Sequence, residues 1–248
     1  MNNKNILIIG ATSGIAEAVA RRYAGENCNF VLVARDASKL EIVAADLGVR
    51  GAASVHVFIW DALDTARLPE LVAFAWGALP TVDLALIAHG TLPDQALAQT
   101  DLAYALEQFR TNGESAVTCM HALAERFDAQ GSGVLAVIGS VAGDRGRGSN
   151  YVYGAAKAAV DAFASGLRMR LHKRGVHVLT IKPGFVATPM TAGLDLPAKL
   201  TATADQVAAD IHRAVERRRD VLYTPWFWTW IMRIIVAIPQ RIFKRLSL

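Results

Sequence analysis

The sequence predicts an α/β fold, a single doubly wound parallel sheet with helices on both faces. Three observations carry that prediction. Short, continuously apolar runs such as Asn5–Gly10 and Val134–Ser140 have the form of strands buried on both faces. They alternate with longer stretches of helical pattern, the rhythm of strand–helix–strand units. The chain has 248 residues, 53% of them hydrophobic, which suffices for one large domain with a helix-covered core.

Asn5–Gly10 is the first strand, and Gly10-Ala-Thr-Ser-Gly14-Ile-Ala16 leads into a helix reaching to about Glu26. Glycines at a strand-to-helix turn let backbone amides approach a pyrophosphate at the helix N-terminus. Gly10, Thr12, Ser13, Gly14 and Ile15 are therefore candidate dinucleotide contacts. The spacing is Gly-x-x-x-Gly-x-Ala, not the common Gly-x-Gly-x-x-Gly fingerprint. Phe30–Ala34 is the second strand, ending in Arg35-Asp36. An acidic residue there accepts from ribose hydroxyls, whereas an arginine suits a 2′-phosphate. Arg35 stands at the immediate strand end, which favours NADPH over NADH, and Asp36 is expected to cap the helix Ala37–Leu47. The alternative is a solvated Arg35 beside a capping Asp36. Ser13 is not basic, so use of NADH stays open.

Ser54–Trp60 is the third strand, followed by Asp61-Ala62, and Val82–Ala88 is the fourth, ending Ala88-His89-Gly90. The stretch from Leu97 to about Ala129 is helical with Asn112 in its middle. Asparagine is a poor interior helix residue unless its side chain has work or the backbone is distorted, and Gly113 supports distortion. Val134–Ser140 is the fifth strand, Tyr151 to about Lys173 a helix, and Val176–Ile181 the sixth strand. It runs out through Lys182-Pro183-Gly184-Phe185-Val186-Ala187-Thr188-Pro189. Pro189–Thr201 is expected to close over a substrate and exclude water. Thr203 caps a helix Ala204–Arg219, and Val221–Thr224 is a final edge strand.

The chemistry concentrates between Gly139 and Lys157. Tyr153 and Lys157 are four residues apart, so phenol and ammonium share a helix face, with Ser140 at the end of the preceding strand. A free phenol, with a pKa of about 10, is a poor acid at neutral pH. A lysine held nearby favours the phenolate and is expected to draw that value down. Such a tyrosine can pass a proton to or from an alcohol oxygen that a serine hydroxyl holds. That equips a site for carbonyl reduction or alcohol oxidation, given a hydride carrier. Tyr151 has no lysine four residues on and is expected to line the pocket or pack. The bland alternative for Tyr153-x-x-x-Lys157 is a solvated helix face.

Ser140 followed by Tyr153-x-x-x-Lys157, with the glycine turn at the start of the chain, resembles the short-chain dehydrogenase/reductase family over about the whole chain. Ala16 stands where that family has a third glycine. The resemblance implies a Rossmann-like NAD(P)-binding fold and residue roles. Asp61 would meet the adenine amino group, or else serve only as a turn residue, with Ala62 beside it. Ala88 and Gly90 would lie against the cofactor ribose. His89 departs from the family's Asn-Ala-Gly and is expected to be structural. Asn112 would kink its helix and hold a water that links Lys157 to solvent, completing Asn112, Ser140, Tyr153 and Lys157. Pro183, Gly184, Val186 and Thr188 would meet the nicotinamide amide and phosphates. A homo-oligomer, dimer or tetramer, is implied too. Two further readings stay open: an NAD(P)-dependent alcohol dehydrogenase of a steroid or other lipid, and a non-catalytic NAD(P)-binding sensor or scaffold. The intact Ser-Tyr-Lys set argues against the latter, since a pure binder needs no proton donor.

The net charge of +4 is concentrated late, in residues such as Arg217, Arg218, Arg219, Arg233, Arg241, Lys244 and Arg245. No recognition motif accompanies it, so nucleic acid is not an expected partner. The six histidines never pair at metal spacing, and no metal is expected. Cys28 and Cys119 lack a pairing pattern, which fits a reduced, cytoplasmic setting. The start, Met1-Asn-Asn-Lys-Asn, runs straight into a strand, so no secretory signal is expected. Residues 1–224 form the predicted nucleotide-binding domain and residues 225–248 an aromatic, basic segment. Arg233, Pro225 and Pro239 interrupt its apolar run, which argues against a membrane-spanning helix. Tryptophans favour the membrane interface and basic residues favour anionic lipid, so the segment is expected to dock on the inner face of a membrane, or else to line the pocket or an oligomer contact. Its ending, Ile238-Pro239-Gln-Arg-Ile242-Phe243-Lys244-Arg245-Leu246, resembles a subgroup of the family that reduces a keto-sugar carried on a polyprenyl phosphate in cell-wall synthesis. That implies a lipid-linked keto substrate.

Overall fold

A computed structural model describes residues 3–246. Met1, Asn2, Ser247 and Leu248 lie outside the described residues, and with them part of the expectations placed on the start and on the tail.

The first strand, β1 (Asn5–Ile9), is buried at every position. Side chains alternate across a sheet, so Ile6 and Ile8 enter one layer and Leu7 and Ile9 the other. On one side they meet α1 (Gly14–Ala24) and α2 (Ala37–Val49), through Val19 and Leu40. On the other they meet α3 (Leu68–Ala78), through Leu71. Each large aliphatic side chain buried in this way contributes roughly 1.5–3 kcal/mol. A strand with no solvated face must be apolar throughout, which is why the periodicity of the run reads as continuous and not alternating.

The remaining strands follow in chain order: β2 (Asn29–Ala34), β3 (Ser54–Ile59), β4 (Leu84–Ile87), β5 (Val134–Ile138) and β6 (His177–Pro183). Past β6 come the short β7 (Phe185–Ala187) and β8 (Thr201–Thr203), and finally β9 (Val221–Thr224). Seven strands pair in the order β3-β2-β1-β4-β5-β6-β9, and every pairing is parallel. This is the doubly wound sheet expected, with β9 on the edge. The order reverses between β1 and β4, and the crevice at such a switch point is where open α/β sheets bind ligands.

The long helical stretch is broken into α4 (Gln95–Thr100), α5 (Leu102–Phe109), a π-helical turn at Arg110–Glu114 and α6 (Ser115–Gln130). Asp101 makes the first break by capping α5 through the Tyr104 N–H at 3.0 Å. The second break is the distortion that Asn112 and Gly113 predict. A Cβ on Gly113 would stand 3.2 Å from the Ala156 backbone, so the bare residue lets the π turn press against α7 (Tyr151–His172).

Two features exceed the sequence reading. The helix α3 was not anticipated. The expected lid, Pro189–Thr201, is bounded by a small parallel sheet of β7 on β8, with 3₁₀ turns at Pro189–Thr191 and Ala198–Leu200. Thr203 caps α8 (Ala204–Glu216) in a reciprocal capping box with Gln206. That helix ends earlier than expected, because Arg218 adopts a left-handed φ of 48°.

The tail folds back on the domain as α9 (Trp228–Ala237) and α10 (Gln240–Phe243). Trp228, Met232 and Phe243 point inward, while Trp226, Trp230, Ile234 and Ile242 are exposed. Arg145 holds it there. Its guanidinium donates to Ile235 O, Val236 O and Ile238 O at the end of α9 and lies 3.7 Å from the Phe243 ring centroid. The last carbonyls of a helix lack the usual intrahelical donors, with Ile235 O taking a long 3.4 Å bond from the Ile238 N–H, so a cation is a natural cap. Among the described residues, no helix is long and apolar enough to cross a membrane.

Candidate active site

Every residue singled out above for chemistry or cofactor contact lines one cavity of about 630 Å³ at the carboxyl ends of the central strands. On its β1 side, Gly10 turns the chain with φ 85°, and the Ser13 hydroxyl caps α1 through the Ala16 N–H. A helix opens with N–H groups that have no intrahelical acceptor, and here Gly14 and Ile15 present that end to the cavity with Thr12 beside them. A Cβ on Gly14 would come within 3.2 Å of the Thr188 methyl, so Thr188 sits directly across from this N-terminus. This cradle of bare backbone and helix end fits a dinucleotide diphosphate.

Arg35, at the end of β2, is exposed, lines the same cavity and forms no ion pair among the described residues. Asp36 is committed elsewhere, because its carboxylate accepts from the Lys39 N–H at 3.1 Å as the cap of α2. Asp61 accepts from the Leu63 N–H at 2.8 Å, a turn role that leaves it on the cavity wall beside Ala62. Ala88, Gly90, Pro183, Gly184 and Val186 complete that wall. Among the described residues, no group of three or more His, Cys, Asp or Glu side chains could hold a metal ion.

The chemical end is built on α7 and β5. Tyr153 and Lys157 face the cavity from successive turns, and Ser140 faces it from the end of β5. The Ser140 oxygen accepts from the Ala142 N–H at 3.1 Å, which fixes the hydroxyl in place. Lys157 Nζ donates to Ile138 O at 2.9 Å and lies 5.7 Å from the Tyr153 ring centroid. Burial pushes the Lys157 ammonium down to about 8, and the Asp161 carboxylate resists that fall.

Tyr153 departs from expectation. Burial pushes its phenol up to about 12, a hydrogen bond with Ser140 works against the rise, and the charge of Asp161 adds to it. The expected downward pull of Lys157 does not govern, because its ammonium is directed at the Ile138 carbonyl. Tyr153 is thus held as a protonated donor beside the serine hydroxyl. Tyr151, expected to pack or line the pocket, is instead exposed.

Asn112 is buried, and its amide is fully engaged. Its Oδ1 accepts from the Thr91 N–H at 2.8 Å, and its Nδ2 donates to Thr91 Oγ1 and Gln108 O. It ties the π turn to the loop after β4. A Cβ on Gly90 would fall 2.9 Å from Asn112 Oδ1 and 3.7 Å from Lys157 Nζ, so Gly90 is the bare spot between the two. His89 is structural on its Nε2 side, 2.7 Å from Ser115 Oγ, which in turn donates to Thr111 O. Burial pushes the imidazole down to about 3, so the ring is neutral.

Behind the site lies a largely buried charge cluster that no local pattern in the chain announces. Lys182 pairs with Asp144 and stands 3.0 Å from Asp161 Oδ2, and the Tyr223 hydroxyl donates to Asp144 at 2.9 Å. Asp161 lies two turns beyond Tyr153 on α7. A Cβ on Gly139 or Gly143 would stand 2.5 Å or 2.7 Å from its oxygens. Gly139 and Gly143 are thus packed against the Asp161 carboxylate, with the α7 backbone at Lys157 and Ala158 closing the space at Gly143. Burial pushes Asp161 up to about 6, against the pull of Lys182.

Among the cavity residues that sequence reasoning left unassigned are Arg147 and Asn150, on the loop before α7, whereas Trp228 lines it as the pocket-lining alternative for the tail expects. Only the position of Arg147 between two glycines, in the loop that delivers Tyr153, could have signalled it.

This arrangement, a serine and a tyrosine hydroxyl over a lysine beside a diphosphate cradle, defines a class of oxidoreductase. A family model described as short chain dehydrogenase matches residues 4–198. The chain is 39% identical over 241 residues to an uncharacterized oxidoreductase of Mycobacterium tuberculosis (strain ATCC 25618 / H37Rv), covering 97% of this chain and 96% of that relative. It is 35% identical over 247 residues to an uncharacterized oxidoreductase of Streptomyces coelicolor, covering 98% and 96%. The chain belongs to the short-chain dehydrogenase/reductase family and is an NAD(P)-dependent oxidoreductase. Levodione reductase has the same fold, with a TM-score of 0.81 at 22% identity over 90% of this chain and 97% of that one.

Proposed function

We propose that the protein is an NADPH-dependent carbonyl reductase in which Tyr153 protonates the oxygen of a ketone while the nicotinamide delivers hydride to its carbon. The observation that carries this reading is the convergence of Ser140, Tyr153 and Lys157 on the cavity that also receives the N-terminus of α1. The cofactor supplies the hydride chemistry. The chain's part is to bind, orient and move a proton. Ser140 orients the ketone oxygen, Tyr153 donates to it, and Lys157 holds the nicotinamide ribose. Asn112 braces the π turn against which α7 is placed, in the role of the fourth member of the set.

NADPH is the preferred cofactor because Arg35 is free to meet a 2′-phosphate, whereas Asp36 is spent on capping α2. Gly10, Thr12, Ser13, Gly14, Ile15 and Thr188 hold the diphosphate, Asp61 and Ala62 the adenine end, and Ala88 and Gly90 the nicotinamide ribose. Pro183, Gly184 and Val186 hold the nicotinamide amide. Residues 1–224 form this reductase body, working as a homo-oligomer in the cytoplasm.

Residues 225–248 serve two purposes in this reading. The inner side of α9 closes the pocket. The outer side, with Trp226, Trp230 and Ile234 exposed beside Arg233, Arg241, Lys244 and Arg245, rests on the inner face of an anionic membrane. A membrane platform suits a lipid-linked ketone. The ending of the tail resembles that of decaprenylphosphoryl-2-keto-erythro-pentose reductase, and a keto-sugar on a polyprenyl phosphate is the substrate that resemblance favours.

The test is a reduction assay across keto-sugars, polyprenyl-linked ketoses and hydrophobic ketones, run with NADPH and NADH on wild type and Arg35→Ala. The reading expects ketone-dependent oxidation of NADPH, and loss of the preference for NADPH in Arg35→Ala. Absence of turnover on every ketone, with alcohol-dependent reduction of NAD instead, would overturn it.

A further inference from the structure

Among the described residues, seven carry a buried polar side-chain atom without a hydrogen-bond partner, and four of the seven line this one cavity: His89, Arg147, Asn150 and Trp228. Unpartnered buried polar atoms cost free energy in an isolated protein and mark where a ligand would complete the bonding. Their chemistry is divided. Arg147 Nε and Trp228 Nε1 carry hydrogens and can only donate. Asn150 Oδ1 can only accept. His89 Nδ1 accepts as well, because Ser115 Oγ spends its hydrogen on Thr111 O and so takes one from His89 Nε2.

The donors are of a kind suited to an oxyanion. Arg147 forms no ion pair among the described residues, and its nearest acidic influence, Asp144, is already engaged by Lys182 and Tyr223. Burial pulls the guanidinium pKa down, the direction expected of a cation short of counter-charge. Its forked donors match carboxylate or phosphate. Asn150, the residue that opens α7, does not use its side chain to cap the helix, because Gln95 Oε1 accepts from the Val152 N–H there, at 3.2 Å. Trp228 is 3% exposed, and its indole N–H has no partner in the protein.

We infer that the substrate is a hydroxylated ketone bearing an oxyanion in addition to its carbonyl. Arg147 and the Trp228 N–H receive the oxyanion, and Asn150 Oδ1 and His89 Nδ1 accept from the hydroxyls. This deepens the reductase reading and rests on it. It makes Arg147 a specificity determinant and gives the tail, through Trp228, a direct part in substrate choice.

Dihydroxyacetone and dihydroxyacetone phosphate are the simplest matched pair, and hydroxypyruvate tests a carboxylate in place of the phosphate. Wild-type kcat/KM is expected to be at least tenfold higher for an oxyanion-bearing probe than for dihydroxyacetone, with the difference in KM. Arg147→Gln brings that ratio toward one, and Arg147→Lys, which keeps charge but not the fork, falls between. An advantage for dihydroxyacetone phosphate alone assigns a phosphate, and an advantage for hydroxypyruvate alone assigns a carboxylate. Equal kcat/KM for the probes, or a ratio that survives Arg147→Gln, overturns the inference. So does an Arg147→Gln variant whose only defect is weaker NADPH binding. If no ketone is reduced, the reductase reading is what fails. The subsite is then decided by calorimetry in the presence of NADPH: binding of dihydroxyacetone phosphate to wild type but not to Arg147→Gln upholds it, and equal binding or none overturns it.

Discussion

The indole nitrogen of Trp228 occupies the space that a Cβ on Gly184 would need. The tail is therefore fitted to the Pro183-Gly184 turn at the end of β6, and the edge-on contact of Trp228 with Phe185, centroids 5.3 Å apart, extends the fit. Gly184→Ala is expected to push α9 off the body and cost roughly 1–3 kcal/mol, the range for overpacking a tight site. Thermal denaturation with tryptophan fluorescence checks this. An unchanged melting temperature and spectrum would show that α9 is not seated as described.

Arg145 holds the same helix from its other end. Arg145→Ala removes a charged donor from the carbonyls of Ile235 and Ile238 and a cation from the face of Phe243. The loss is expected to be about 2–3 kcal/mol locally. It should appear as faster proteolytic cleavage within residues 225–246, with the rest of the chain still protected. Equal cleavage rates would remove Arg145 from the account of the tail.

Removing the tail outright is a poor test of membrane docking, because Trp228 forms part of the pocket. Substituting only its outward residues separates the two roles. Trp226→Ser with Trp230→Ser and Ile234→Ser should abolish cosedimentation with phosphatidylglycerol vesicles and leave the folded body intact by circular dichroism. Wild type that stays in the supernatant would end the docking proposal.

The charge cluster beneath Ser140 sets a pH dependence. Asp161 raises the Lys157 pKa against burial, and it also raises that of Tyr153. Removing its negative charge therefore lowers both, so both groups lose their protons at a lower pH. Asp161→Asn should move the alkaline limb of kcat/KM toward acid, starting from a Lys157 value of about 8. Lys182 keeps Asp144 as its partner and Tyr223 keeps its acceptor, so the fold has no reason to fail. A pH profile that coincides with wild type would exclude Asp161 from tuning the site.

The sheet was legible because its strands are buried on both faces: Asn5–Ile9 and Val134–Ile138 declare themselves by being apolar throughout. Catalytic candidates were legible where spacing carries geometry, as with Tyr153 and Lys157 on one helical face, or where a residue is out of place, as with Asn112 inside a helix. Contacts between distant segments were not. Nothing local links Arg145 to Ile238, Gly184 to Trp228 or Asp161 to Lys182, since each pairing exists only once the sheet has brought its strand ends together. The direction of the Tyr153 shift was misjudged for the same reason. Its sign depends on how deeply the phenol is buried and on where the Lys157 ammonium points, and spacing encodes neither.

The central claim is that the Tyr153 hydroxyl gives its proton to a ketone oxygen beside a bound dinucleotide. Tyr153→Phe removes that one hydrogen-bonding atom and leaves the ring in place. Single-turnover oxidation of NADPH by a reducible ketone should slow by about a hundred- to ten-thousand-fold, while NADPH affinity, read by fluorescence titration, stays near that of wild type. Wild-type turnover in Tyr153→Phe would contradict the account at its base.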